Sequence, residues 1–355
     1  MANPKRKQSK RRSANRRAGN AYIVGTAFSG NFPTLNPLQA VTGGGPDAFV
    51  AKIGTALIAA NLLPGNDFNG DGRSDILWRN GRTGADAIWR SANSNLPQAV
   101  AGVSNLSWHI VGVGDFNGDR KADILWRNTS TGANAIWRSG SAATTQAVTA
   151  VTNQSWQVVG IGDFNGDGKA DILWRNGANG ANAIWKSGLS STPQPISSVT
   201  NLAWHIVGAD DFTGDGNADI LWRNTSTGAN VMWKSGNPTT QQAVSSVTSQ
   251  AWHVVATGDF NGDGKADILW RNSNTGGAVI WKSGLASTPQ PVTAVTNLDW
   301  HIVAAGDYNG DGISDILWRN LATGANVIWK SARSNTPQAV TAVGSLDWMV
   351  QPVHQ

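Results

Sequence analysis

Six short stretches of this chain gather oxygen-bearing side chains at a spacing that can hold a cation. The third reads Asp163-Phe-Asn-Gly-Asp-Gly-Lys-Ala-Asp171, with side-chain oxygens at positions one, three, five and nine. Alternate residues of a tight loop turn the same way, so the odd positions can converge on one hard ion. The position-seven backbone carbonyl and water would complete the six or seven oxygens that calcium prefers. Sulfur and imidazole are missing from the pattern, which disfavours zinc, copper and iron. Magnesium needs stricter octahedral geometry and keeps more of its water, so calcium is the expected cofactor, about six ions in all.

The copies begin at Asp67, Asp115, Asp163, Asp211, Asp259 and Asp307, each 48 residues after the one before. The candidate ligands of the first are Asp67, Asn69, Asp71, Arg73 (by its carbonyl) and Asp75, and of the second Asp115, Asn117, Asp119, Lys121 and Asp123. The third offers Asp163, Asn165, Asp167, Lys169 and Asp171; the fourth Asp211, Thr213, Asp215, Asn217 and Asp219. The fifth offers Asp259, Asn261, Asp263, Lys265 and Asp267; the sixth Asp307, Asn309, Asp311, Ile313 and Asp315. Together they hold 18 of the 23 acidic residues. Turn-making alone does not need three carboxylates so close, and without a cation they repel one another. Two copies depart from the pattern. Arg120 replaces the position-six glycine, where a left-handed backbone costs roughly 1–2 kcal/mol, and Thr213 replaces the position-three Asn. These two sites are expected to bind most weakly.

The first half of each loop resembles an EF-hand, but position twelve is Trp174 rather than Glu, and the chain contains no glutamate. The residues that follow, Asp171-Ile-Leu-Trp-Arg-Asn176, are short and branched and read as a strand, which places the loop in a β-hairpin. In the second repeat, 108–114 is a strand leading into the loop, 124–127 the next, 129–132 a turn, 133–138 a third strand and 146–151 a fourth. Four short antiparallel strands per 48 residues, repeated, are the pattern of a β-propeller blade, and the chain reads as all-β.

The repeats over 67–354 resemble the FG-GAP/VCBS repeats of integrin-α-like propellers and bacterial surface proteins. That resemblance implies calcium in the Asp-x-Asn-x-Asp-Gly-x-x-Asp loop of each blade. Residues 20–53 differ. Asn31-Phe-Pro-Thr34 and Asp47-Ala-Phe-Val-Ala-Lys52 resemble a second bacterial propeller repeat, the SBBP family. The expected organisation is a basic disordered tail over 1–19, an SBBP-like partial blade with a lead-in strand over 20–66, and six repeats over 67–355. The C-terminal Trp348-Met-Val-Gln-Pro-Val353 repeats the register of 108–114. It could close a six-bladed ring on the first repeat. The preferred expectation is seven blades, with 57–66 supplying the first repeat's strand and 348–353 joining 21–28 and 47–53.

All 18 tryptophans lie in the repeats, three in each. They could be aromatic platforms for sugars or packing between blades; the strand Ile124-Leu-Trp-Arg127 is apolar on both faces, as a sheet covered on both sides requires. Trp78, Arg79, Trp126, Arg127, Trp174, Arg175, Trp222, Arg223, Trp270, Arg271, Trp318 and Arg319 are accordingly ligand-binding candidates. The arginines could equally cap strand ends or pair with the loop aspartates. His109, His205, His253 and His301 follow a Trp, where the other repeats place Gln157 and Met349. That scatter suits packing rather than catalysis.

No acid–base or nucleophile constellation stands out, and near-identical repeats suit multivalent binding better than an asymmetric active site. The function expected is a calcium-binding adhesion or recognition module, secreted or on the cell surface, with a glycan or protein ligand. The alternatives are a structural piece of a larger surface protein and a polysaccharide lyase or hydrolase. Net charge is +5, but eight basic residues lie within 1–19, so the remainder carries −3. A nucleic acid is an expected partner only through that tail. There is no cysteine, no apolar run of transmembrane length, and only a short, glycine-interrupted apolar stretch at 21–28 in place of an export signal.

Overall fold

A computed structural model describes residues 21–27, 47–53 and 66–352. The chain divides into two units, 1–61 and 62–355. In the first, strands Ala21–Ala27 and Asp47–Ile53 pair antiparallel. The basic tail over 1–19, the Asn31–Thr34 signature and all but the last residue of the lead-in strand at 57–66 lie outside the described residues.

The second unit is a β-propeller of six four-stranded antiparallel sheets. Blade 2 shows the plan: an inner strand Trp108–Gly114, a second strand Asp123–Asn128, a third Asn134–Trp137 and an outer strand Thr145–Val148. The third strand ends in a single 3-10 turn, Arg138–Gly140. The inner strand matches the sequence reading; the second is one residue longer at each end because Asp123 and Asn128 pair with the inner strand, and the third and outer strands end one and three residues early.

Alternation along the second strand explains why it is apolar on both faces. Ile124 and Trp126 pack against Leu77 and Ile88 of blade 1, whereas Leu125 packs with Ile172 and Trp174 of blade 3. Each core is therefore an interblade layer, and each blade contributes to two of them. The inner strands crowd at the centre: a Cβ on Gly112 would lie 2.5 Å from Ile161 Cγ1. A register shift between Ile110 and Gly112, repeated in blades 3 to 6, bends the inner strand there.

The ring closes at six blades, not the preferred seven. Trp348–Gln351 pairs with Ile76–Asn80 in the register Trp348↔Asn80, matching Trp108↔Asn128 in blade 2. The C-terminal strand thus completes blade 1 instead of pairing with 21–28 and 47–53. Its Val350 enters a core shared by Ile76 and Trp78 of blade 1 and Leu317 and Ile328 of blade 6. A strand carrying the inner-strand motif has one edge that fits it, and pairing there leaves no open seam between the first and last repeats.

Candidate metal-binding loops

The six acidic loops lead into the second strands of the blades and share one face of the ring. Local backbone chemistry shapes each of them. Asp67 Oδ1 accepts from the N–H groups of Asn69, Gly70 and Asp71, and its Oδ2 from Gly72 at 2.8 Å. Gly70 and Gly72 have φ of 77° and 82°, the left-handed region that glycine enters without cost. Arg120 holds the same conformation at φ 68°, and its N–H reaches Asp115 Oδ2 at 2.7 Å, so the loop keeps its shape at the expense of strain. In the fourth loop Thr213 N–H turns to Asp219 Oδ2 at 3.1 Å.

Position nine ties the loop to the blade. Asp75 Oδ2 accepts from Phe68 N–H at 2.9 Å and Oδ1 from Ser91 N–H at 2.7 Å, the second bond reaching the turn after the third strand. The same pair recurs at Asp123, Asp171, Asp219, Asp267 and Asp315. All six are fully buried, and burial pushes each acid up to about 6. The carboxylates at positions one and five add to the rise, and the two backbone donors oppose it. Each loop is also tied to the next: Ala122 N–H donates to Asp67 O at 2.7 Å, and Ser74 N–H to Asp307 O at 2.7 Å closes the circle.

Among the described residues, no three carboxylates or imidazoles converge closely enough to share an ion. The donor set nevertheless fits a hard cation. In the sixth loop Asn309 Nδ2 points between Asp311 Oδ2 at 3.1 Å and Asp315 Oδ1 at 3.4 Å. Asn261 Nδ2 likewise meets both oxygens of Asp267 at 3.2 Å. An amide N–H₂ thus sits where positive charge is wanted, and turning the amide would present its oxygen to a cation held by the same carboxylates. The position-one, -three, -five and -nine side chains and the position-seven carbonyl are the groups that would hold calcium.

The aromatic and arginine candidates are placed otherwise. Trp78, Trp126, Trp174, Trp222, Trp270 and Trp318 are 1% exposed, so they cannot serve as sugar platforms; each packs at about 5 Å on the Trp of its own third strand. Arg79, Arg127, Arg175, Arg223, Arg271 and Arg319 are buried as well and pair with no loop aspartate. Each guanidinium lies over the Trp of the next blade, from Arg79 on Trp126 at 4.8 Å round to Arg319 on Trp78 at 5.0 Å. The Arg of the Trp-Arg-Asn repeat is an interblade clamp, its Nη2 bonded to carbonyls such as Val151 O and Trp156 O. The signal is present in five of the six repeats as the Asn or Asp seven residues further on, which is the side-chain partner of Arg79, Arg127, Arg175, Arg223 and Arg319.

His109, Gln157, His205, His253, His301 and Met349 are exposed rather than packed. They lie at the start of the inner strands, on the face opposite the loops, together with exposed Leu106, Leu202, Leu298 and Leu346. Asp210 replaces the glycine that ends the inner strands of blades 2, 3, 5 and 6, and its Oδ1 accepts from Asp211 N–H at 2.9 Å.

An FG-GAP-like repeat model matches residues 67–126, 115–174, 211–270 and 259–318, more than half of the chain. The chain belongs to the FG-GAP-like repeat family. No curated protein matches it. Among solved structures, this FG-GAP-like chain is similar to one in a nidogen/laminin complex, at 11% identity and TM-score 0.49 over 73% of this chain and 89% of that one. It is similar also to a virginiamycin B lyase from Staphylococcus aureus, at 12% identity and TM-score 0.44 over 78% and 87%. An auxiliary nutrient binding protein from Bacteroides thetaiotaomicron aligns at 11% identity and TM-score 0.41 over 65% and 56%. No helix among the described residues is long and apolar enough to cross a membrane.

Proposed function

We propose that this FG-GAP-like propeller is a calcium-stabilised binding module acting outside the cell or at its surface. One observation carries the calcium reading. The loops bring 18 carboxylates to one face, yet the two ion pairs among the described residues, Arg79–Asp86 and Arg82–Asp347, involve none of them. Six buried acids therefore face neighbouring carboxylates with only backbone N–H groups and, at Asp267 and Asp315, an Asn amide to offset the charge, an arrangement that a divalent cation relieves. Extracellular modules hold calcium at Kd of roughly 10⁻⁴–10⁻³ M, which suits loops as open as these.

The burial of the second-strand Trp and Arg residues supports packing between blades, one of the two roles the sequence offers them, over sugar platforms. Exposed Leu106, Leu202, Leu298, Leu346 and Met349 on the opposite face favour a protein ligand, held by several equivalent weak contacts. Isothermal titration of the chelated protein with calcium tests the first part: about six ions are expected. No binding heat up to roughly 10 mM calcium, an order of magnitude above that range, would remove the metal from the proposal. A glycan array tests the second, and specific retention of one carbohydrate class would replace the protein ligand by a lectin function.

A further inference from the structure

Given the calcium reading above, on which this rests, we propose that the affinity of each loop is tuned by the next blade. The tuning group is the side chain at position seven of the following loop, and the third and fifth loops accordingly bind more tightly than the first and sixth. The position-seven carbonyl belongs to its own loop, but the side chain reaches the loop before it. A Cβ on Gly70, at position four of the first loop, would lie 3.5 Å from Lys121 Cγ and Cε. A Cβ on Gly118 would lie 3.4 Å from Lys169 Cγ and Cε, and one on Gly214 3.0 Å from Lys265 Cγ. On Gly310 it would meet Arg73 Nε at 3.1 Å, which carries the pattern from blade 1 back onto blade 6.

Backbone bonds fix this overlap. The position-eight N–H of every loop donates to the position-one carbonyl of the loop before it, at 2.6 to 2.8 Å around the ring. Position seven, the residue just ahead of that donor, is thereby held beside the preceding loop. Position four is glycine in all six loops, and the absence of a side chain there leaves room for the incoming stem.

The charge laid over the loops is not uniform. Lys121, Lys169, Lys265 and Arg73 bring a cationic side chain to the first, second, fourth and sixth loops. The third is covered instead by Asn217, whose Oδ1 lies 2.8 Å from the Cβ position of Gly166. The fifth is covered by Ile313, whose Cγ1 lies 3.3 Å from that of Gly262. The first, third, fifth and sixth loops are otherwise matched, with Asp, Asn, Asp and Asp at positions one, three, five and nine and glycine at position six. Among the described residues no lysine or arginine forms an ion pair with a loop aspartate. Each overlying cation therefore keeps its charge uncompensated and opposes a divalent ion entering beside it. A unit charge on a solvated stem changes the affinity of a neighbouring divalent ion by about two- to fivefold at low ionic strength, and less as salt screens it.

The test follows the amide resonances of Gly72, Gly168, Gly264 and Gly312 while the chelated, ¹⁵N-labelled full chain is titrated with calcium. Each of these position-six N–H groups donates to the position-one carboxylate of its own loop, at 2.7 or 2.8 Å, and so reports that loop. At low salt Gly168 and Gly264 should reach half-saturation at calcium concentrations about two- to fivefold below Gly72 and Gly312, the gap narrowing in roughly 0.5 M KCl. Asn217→Lys should raise the Gly168 midpoint and Ile313→Lys the Gly264 midpoint by that factor, and Lys121→Asn should lower that of Gly72. Lysine already holds position seven in three blades, so the first two substitutions copy a side chain the fold accepts. One midpoint shared by all four resonances, or substitutions that move only the loop carrying them, would overturn the proposal while leaving calcium binding intact. Resonances that do not respond to calcium at all would overturn it together with the calcium reading.

Discussion

On the loop face the blades repeat almost bond for bond. Each buried aspartate accepts one N–H from its own loop and one from the turn after the third strand, and every such bond lies between 2.7 and 3.0 Å. The opposite face is uneven. The residue facing the clamp arginine is Asp86, Asn134, Asn182, Asn230, Ala278 or Asn326, and the exposed inner-strand position holds His, Gln or Met. Uniformity belongs to the face whose loops link blade to blade, where a change in one loop is passed to its neighbour. Where one blade's side chain meets one arginine, the repeats have diverged without disturbing the ring.

The largest expected effect separates the faces by metal. With calcium about a hundredfold above Kd, each loop adds about 2.7 kcal/mol, so the melting temperature should rise well over roughly 10 °C relative to chelator. His109→Ala, on the other face, should show the same calcium-dependent rise. A calcium response lost on changing His109 would erase the distinction between the faces.

Next comes pH. The six position-nine acids have folded pKa values raised to about 6 from an ordinary 3.8, so between these values the folded chain binds more protons than the unfolded one. In chelator, their contribution is therefore full below about 3.8 and is lost as pH climbs through about 6. Calcium should flatten or reverse that slope in urea denaturation curves; an identical slope with and without calcium would detach these acids from the metal.

Trp174→Ala, in the interblade layer, should cost about 3–5 kcal/mol, against less than about 0.5 kcal/mol for His205→Ala at the exposed inner-strand position. Similar costs at both positions in denaturant melts would contradict the packing described. Asn134→Ala rebuilds in blade 2 the situation of Arg271 and should cost about 1–3 kcal/mol; a neutral outcome would show that the clamp does not depend on its amide. Smallest is Arg120→Gly, which should gain about 1–2 kcal/mol by relieving the left-handed backbone, together with tighter calcium binding at the second loop. No change in either would show that the second loop carries no strain.

The loops and strands were legible because they are local. An Asp-x-Asn-x-Asp-Gly turn and an Ile-Leu-Trp strand carry their instructions within a dozen residues, and their period marks the blade. Arg127 was not legible in the same way. Nothing adjacent to it in the chain announces that Trp174, on the next blade, lies beneath its guanidinium. His109 differs from expectation for a related reason: alternation says which residues share a face, but not that the start of the inner strand leaves this position exposed.

By itself the sequence determined the all-β class, the 48-residue blade, the six acidic loops and the family to which they belong. The tertiary structure decided the rest: closure at six blades through Trp348–Gln351, the burial of the Trp and Arg ring, and the unpartnered Nη1 of Arg271. The physical reason is that hydrogen-bonded turns and alternating strands are set by neighbours in the chain. What covers a face, or fails to, depends on which blade the closed ring brings against it.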